Sequence, residues 1–116
     1  MSQQNNDAAP GHLRQHQGVW SITLAMGTIP LEALSSVFQE EWGYVANGHA
    51  WQAVIEAYMR MHYPEDAARL RYDSEADMFC ARSADIEPLK RIAQALRRML
   101  DHPEELRTTL RQIDPD

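Results

Sequence analysis

The residues of this chain whose types could do chemistry are one cysteine, five histidines and a short run of alternating carboxylates. Cys80 would need a histidine brought close by the fold to act as a nucleophile, and His49 and His62 are the candidates. The run over residues 73–77 carries carboxylates at alternate positions, as the start of a calcium-binding loop does. It lacks the central glycine of such a loop, and Ala84 stands where the twelfth-position glutamate is needed. We therefore do not expect an EF-hand calcium site.

The other chemical candidates have simpler structural interpretations. His12 and His16 have the i, i+4 spacing that holds a cation on a helix, but they lie in a polar segment that is poorly suited to keep a geometry. Cys80 follows Phe79 in a predicted strand, which favours a small buried hydrophobic residue over a reactive thiol. The five glycines never form the GxGxxG pattern of a phosphate-binding loop. The sequence therefore predicts no catalytic residue, no metal site and no cofactor, and a protein that is not an enzyme.

The composition predicts one domain of modest size. At 116 residues the chain can bury a core without disulfides or metal. No apolar run approaches the roughly 18 residues that a membrane span needs, so we expect no membrane partner. The first residues have neither the basic nor the apolar region of an export signal, and a single cysteine suits a reducing compartment. We therefore expect a cytoplasmic location.

The charge of the chain is acidic and unevenly distributed. The formal net charge is −6, which argues against a nucleic-acid partner because affinity for phosphate backbones comes from clusters of lysine and arginine. Residues 32–77 carry nine acids against three arginines, whereas residues 82–111 carry seven basic residues against five acids. If the acidity faces one way in space, it would attract a basic partner and raise the association rate. The alternative is that these charges are solvated faces of ordinary helices.

Two groups of residues are candidates for contact with a protein partner. The first combines two carboxylates and two large aromatic side chains at the end of a predicted helix: Glu40, Glu41, Trp42 and Tyr44. Tryptophan and tyrosine contribute disproportionately to binding energy, although Trp42 would also complete the apolar stripe of its helix. The second group consists of the carboxylates of the alternating run: Asp73, Glu75 and Asp77.

Hydrophobic periodicity predicts the first elements that position these groups. Residues 1–18 are polar with a single leucine and predict a flexible tail, followed by one domain over residues 19–116. Alternation with period two predicts a strand over residues 19–26. Apolar residues at helical spacing then predict a helix that ends at Gly43, since glycine favours the left-handed conformation of a helix C-terminus.

The second half of the chain completes the predicted fold. Asn47 can cap a second helix, whose apolar stripe begins at Trp51, and Pro64 ends that helix or starts a short extra turn. The residues flanking the 73–77 run predict a hairpin, and two further helices follow. The order β-α-α-β-β-α-α indicates the α+β class, with a small antiparallel sheet of about three strands covered by helices.

Two short signatures resemble a known family. Asn47-Gly48 followed by Trp51 is similar to a Gly-Asn-Gly-like turn that precedes a tryptophan at a helix start. The run Tyr72-Asp73-Ser74-Glu75-Ala76-Asp77-Met78-Phe79 is similar to a Phe/Tyr-Asp-x-Glu-Ala-x-Met-Phe pattern, and Asp77 and Ala46 stand where that family usually has glycine. In order and spacing these signatures resemble the immunity protein 51 family of bacterial polymorphic-toxin systems, over roughly residues 19–112.

The resemblance implies an immunity protein that binds and neutralises a cognate secreted toxin domain by non-covalent occlusion. It implies that the residues of the two signatures preserve the fold: Asn47, Gly48, Trp51, Met78 and Phe79. Two other classes stay open, a secretion chaperone for an effector and an enzyme that reverses a toxin's modification. A complex with one folded toxin domain would favour immunity, and a homodimer wrapped around an extended segment would favour the chaperone.

Overall fold

A computed structural model describes residues 11–26, 34–43 and 46–113. The described residues form four strands and five helices. The strands are β1 (His12–His16), β2 (Val19–Ala25), β3 (Arg71–Tyr72) and β4 (Met78–Ser83). The helices are α1 (Ser35–Trp42), α2 (Gly48–His62), α3 (Pro64–Ala67), α4 (Glu87–Asp101) and α5 (Pro103–Arg111). None of these helices is long and apolar enough to cross a membrane.

The strands form one open antiparallel sheet in the order β1-β2-β4-β3. This arrangement confirms the α+β class, but the sheet has four strands where the sequence predicts about three. The extra strand is β1, which lies in the segment predicted to be a flexible tail. A tight turn at Gln17 and Gly18, both with positive φ, returns β1 onto β2. The prediction is therefore wrong for residues 12–18, and residues 1–10 lie outside the described residues.

Strand β1 was not predicted from the sequence because it pairs through its backbone while its side chains stay exposed. All five of its side chains are exposed, so no alternation of apolar and polar residues marks it as a strand. Its partners on β2 supply backbone hydrogen bonds along the whole pairing, from His12 opposite Thr23 to His16 opposite Val19. Hydrophobic periodicity detects strands only when one face is buried.

The core lies between one face of the sheet and the helices. Ile22 and Leu24 of β2 point into it beside Phe79 and Ala81 of β4, because these residues are directly opposite in the strand pairing. Helices α2 and α4 cover this face, and α5 packs against α1, α2 and α4. The buried apolar side chains of α2, α4 and α5 include Trp51, Val54, Ile55, Met59, Leu89, Ile92, Leu96, Met99, Leu106 and Leu110. Trp51 and Phe79, 2% and 0% exposed, are confirmed as core residues.

The helix boundaries follow the local signals in the sequence. Gly43 ends α1 in the left-handed conformation, with φ 83°, and its N–H donates to the Gln39 carbonyl. Asn47 caps α2, and α3 is the short extra turn that begins at Pro64. The predicted beginning of the first helix, before residue 34, lies outside the described residues. The observed element order therefore differs from the predicted one by β1 and by the single turn α3.

Candidate partner-binding surface

The two signatures of the sequence meet in space at the N-terminus of α2. The Ala50 N–H donates to the Asn47 side-chain oxygen at 2.9 Å, which caps the helix. The Gly48 N–H donates to the Ala76 carbonyl at 2.9 Å. A Cβ on Gly48 would overlap the Glu75 carbonyl oxygen and would lie 2.5 Å from the Met78 carbonyl oxygen. Glycine is therefore needed at position 48 because the backbone of the hairpin lies directly against the helix.

The hairpin segment that lies against α2 is held by its own hydrogen bonds. We call residues Asp73–Asp77 the acidic turn. The Ser74 hydroxyl accepts from the Cys80 N–H at 3.0 Å, and the Glu75 N–H donates to the Met78 carbonyl at 2.7 Å. At the far end of the turn, the Asp77 carbonyl accepts from the Met26 N–H at 2.9 Å. The acidic turn is thus fixed to β4, to the end of β2 and to the first turn of α2.

The carboxylates of the acidic turn point away from these contacts. Asp73 pairs with Arg82, with 3.2 Å between Oδ2 and Nη2. Glu75 and Asp77 are exposed and have no ion pair in the described part of the chain. Their charge lies close to the N-terminus of α2, where the helix dipole favours anions. The structure therefore presents two unpaired carboxylates on a turn whose backbone is held in place.

The carboxylates at the end of α1 have a different environment. Glu41 accepts hydrogen bonds from Arg107 at 3.0 Å and from Arg111 at 3.1 and 3.0 Å, and its side chain is only 15% exposed. The Arg111 and Arg107 guanidinium groups hold the pKa of the Glu41 carboxyl below its ordinary value. Glu40 pairs with Arg107 at 2.9 Å, although 60% of its side chain stays exposed. These contacts hold α1 against α5.

Trp42, one of the two aromatic residues of this group, also makes contacts within the fold. Trp42 Nε1 donates to the Leu110 carbonyl at 3.3 Å, and the ring packs edge-to-face on Phe38 with 5.7 Å between centroids. Trp42 is half-buried against the core, as expected for a residue that completes the apolar stripe of its helix. Tyr44, the fourth candidate of this group, lies outside the described residues.

The sequence pattern missed the arginines that neutralise Glu41. Arg107 and Arg111 are separated from Glu41 by 66 and 70 positions in the chain, so no local pattern connects them. Their i, i+4 spacing does indicate that they share one face of α5, which is the only signal available from sequence. A carboxylate that could reach both guanidinium groups at once has to come from another element.

Unpaired charge is unevenly placed over the described residues. Apart from Glu65 on α3, the unpaired acids are Glu75 and Asp77, both in the acidic turn. The described lysine and arginine residues without an ion pair are Arg14 and Arg71. Cross-strand pairing places both in one row across the sheet, on the face that the helices do not cover. Arg82 lies in the same row and pairs with Asp73. The acidic turn is therefore the strongest concentration of uncompensated negative charge in the described structure.

The remaining chemical candidates are distributed without an arrangement for catalysis. His62 packs against Tyr58 with 4.3 Å between ring centroids and an angle of 41° between the rings, and His49 is exposed in the first turn of α2. Cys80 is buried, and burial raises the pKa of its thiol, which favours the unreactive protonated form. His12 and His16 share a face of β1, where four residues span about 13 Å, too far to share one ion. Within the described ranges no group of three or more His, Cys, Asp or Glu is placed to hold a metal.

Comparison with known proteins identifies a family whose model matches this chain. The model of the family described as immunity protein 51 matches residues 12–115 of the chain. The matched range contains every described strand and helix, including β1 and the acidic turn. No curated protein and no solved structure matches the chain.

Proposed function

This chain belongs to the immunity protein 51 family, and from that premise we propose that it binds one cognate toxin domain and neutralises it without covalent chemistry. Membership of the family implies a role in toxin immunity. The finer statements are our proposal: the protein acts in the cytoplasm of the cell that makes it, its partner is a basic toxin domain, and protection requires only a stable complex that covers the toxin's working surface.

The acidic turn is the surface that we propose for the first contact with the toxin. The observation that carries this assignment is the pair of exposed carboxylates, Glu75 and Asp77, on a backbone that hydrogen bonds hold on three sides. Charges without an internal partner act at a distance on an approaching basic surface and raise the association rate. A backbone that is already ordered loses little conformational entropy on binding.

The size of a stable interface indicates how far the contact would extend. A standard interface buries about 800 Å² on each partner, which is a modest part of the 6814 Å² surface of this chain. Centred on the acidic turn, such a patch would include the exposed Asn47 and His49 at the start of α2 and the half-buried Met78. Asp73 would contribute charge at its edge, and the end of α1 with Glu40, Trp42 and Tyr44 is a second candidate contact.

Co-expression tests the proposed function. Cells that express the toxin encoded next to this gene should survive when they also express this protein, and a complex with one toxin domain should be recovered on a sizing column. Survival that requires removal of a covalent mark, with no complex recovered, would instead indicate an enzyme. A homodimer wrapped around an extended effector segment would indicate a secretion chaperone.

A further inference from the structure

Strand β1 forms one edge of the sheet, because β2 is its one neighbour among the described strands. Successive residues of a strand direct their N–H and C=O groups to alternate sides. The Met26 N–H, one residue beyond the end of β2, donates to the Asp77 carbonyl on the β4 side, so the even-numbered residues of β2 bond to β4. The odd-numbered residues of β2 therefore bond to β1.

The pairing register shows which backbone groups of β1 remain. The odd-numbered residues of β2 lie opposite the even-numbered residues of β1, so the N–H and C=O groups of Leu13 and Gln15 point away from β2. Within residues 11–26, 34–43 and 46–113 no strand pairs with this side of β1. An edge of this kind can accept a further strand, whose backbone supplies hydrogen bonds and whose alternate side chains supply specificity.

On the helix side of the sheet, β1 offers an apolar contact to such a strand. Leu13 lies opposite Ile22, which points into the core, so both side chains are on the same face. Leu13 is nevertheless 41% exposed, because the helices pack on β2 and β4. It also lines a cavity of about 590 Å³ together with Ala93 and Arg97 of α4. An apolar residue on this face of an added strand would pack against Leu13 beside the cavity.

On the opposite face, Arg14 selects an acidic residue. Arg14 has no ion pair among the described residues. His12 and His16 flank it on the same face of β1, and Ser21 lies opposite it on β2, so the pairing places no carboxylate next to it. The residue opposite Arg14 on an added strand would belong to a non-hydrogen-bonded pair, in which the side chains lie closest. A carboxylate at that position would form an opposite-charge pair with Arg14.

The composition of β1 argues against a second copy of this chain as the added strand. The sequence of β1 contains an arginine and two histidines and no acidic residue. An antiparallel pairing of β1 with itself that uses the free backbone groups over at least three residues would place Arg14 opposite an arginine or a histidine of the other copy. Like charges opposite each other destabilise a strand pair, and a histidine supplies no negative charge.

We propose that the free edge of β1 binds an extended segment of a partner protein as a fifth, antiparallel strand, with an aspartate or glutamate opposite Arg14 and an apolar residue beside Leu13. The acidic turn joins β3 to β4, so this edge is a separate surface from the one proposed for the first contact. That the partner is the toxin rests on the proposed function; the chemistry of the edge does not.

Titration of the full chain with the capped peptide Ac-Thr-Val-Glu-Val-Thr-NH2, followed by backbone amide NMR, tests the edge without any toxin. We expect saturable shifts that are largest in β1 and slower hydrogen exchange at the Leu13 and Gln15 amides. The same peptide with both valines N-methylated should not bind, because it lacks the donors that face β1. A peptide with lysine in place of glutamate should bind about tenfold more weakly, since it places like charges opposite each other.

Gln15→Pro and Gln15→Ala form a matched pair of variants. Proline removes the outward N–H of an edge strand and leaves the bonds to β2, whereas alanine keeps that N–H. Gln15→Pro should therefore bind the peptide about tenfold more weakly, and Gln15→Ala should bind as the wild type does. Arg14→Glu should reverse the preference between the glutamate and lysine peptides, and it tests the edge even if Gln15→Pro disturbs β1.

Several outcomes would overturn the proposal: no saturable shifts in the wild type, equal binding of the glutamate and lysine peptides, or wild-type affinity in Gln15→Pro. Shifts in β1 that depend on protein concentration without peptide would indicate a second copy at the edge and would also overturn it. If the peptide binds as expected while co-expression gives no protection, the edge site stands and the proposed function fails.

Discussion

Two acidic regions of this molecule place their carboxylates in different environments. At the end of α1, Glu41 is mostly covered and accepts hydrogen bonds from Arg107 and Arg111. In the acidic turn, Glu75 and Asp77 are exposed, and no ion pair joins them to another described residue. The negative charge of the first region holds two helices together, whereas Glu75 and Asp77 stay exposed without an ion pair among the described residues.

The difference shows that neighbouring carboxylates in one chain can be neutralised within the fold or left without an ion pair. Both regions lie in the acidic half of the chain, and charge counts alone do not distinguish which of them would attract a basic partner. The fold brings two arginines of α5 to Glu41 and brings none to Glu75 or Asp77. A basic partner that approached Glu41 would have to compete with guanidinium groups already bound there, whereas Glu75 and Asp77 have no such competitor among the described residues.

Gly48→Ala should have the largest effect on stability and binding, because Gly48 is where the first turn of α2 contacts the backbone of the acidic turn. The new Cβ would overlap the Glu75 carbonyl oxygen, which is a backbone atom that cannot rotate away. Overpacking of this kind costs about 1–3 kcal/mol. Both the free energy of unfolding, measured by urea denaturation, and toxin affinity should fall, because the turn must move.

His49→Ala is the matched control for this substitution. His49 is the next residue of the same helix and is exposed, so its unfolding midpoint should stay near that of the wild type. A Gly48→Ala variant with wild-type stability would show that the turn and the helix do not lie as close together as the structure indicates.

Glu41→Gln should have a smaller effect that depends on pH. The arginines lower the pKa of Glu41 below its ordinary value of 4.5 in the folded protein, so the ionised form contributes stability above that ordinary value. This contribution is lost as the pH falls through the lower pKa of the folded state. The variant should therefore be less stable than the wild type at pH 7 and should lose less stability on acidification, as measured by thermal unfolding at a series of pH values.

Glu75→Gln is the control for that experiment. Glu75 has no ion pair among the described residues, so the variant should lose less stability at pH 7 than Glu41→Gln does. Equal pH profiles for Glu41→Gln and Glu75→Gln would contradict the distinction between the two acidic regions.

Local patterns predicted the parts of the fold that local physics determines. Gly43 at the end of α1 and Asn47 at the start of α2 act through their own backbone neighbourhood, and the apolar stripe of the second helix identified the buried Trp51. Strand β1 could not be predicted in this way, because all five of its side chains are exposed and backbone pairing joins it to β2.

The sequence shows which carboxylates belong to the candidate site, but it does not show which of them stay unpaired in the fold. The acidic turn stands out in the sequence as Asp73, Glu75 and Asp77, and so do Glu40 and Glu41. Which of these carboxylates stays free depends on arginines that are remote in sequence. Properties of that kind arise from tertiary packing, which a local pattern does not contain.

The most direct test of the account compares association rates of two charge-reversed variants with the cognate toxin domain at low salt. Glu75→Lys/Asp77→Lys reverses the acidic turn, and Glu65→Lys/Glu87→Lys makes the same change in net charge at exposed positions elsewhere. Thermal unfolding checks that both variants are folded before their rates are compared. The account predicts that the turn variant associates about tenfold more slowly and loses most of its salt dependence, while the control changes little. Equal slowing of both variants, or a turn variant that associates at the wild-type rate, would contradict the assignment of the acidic turn as the recognition surface.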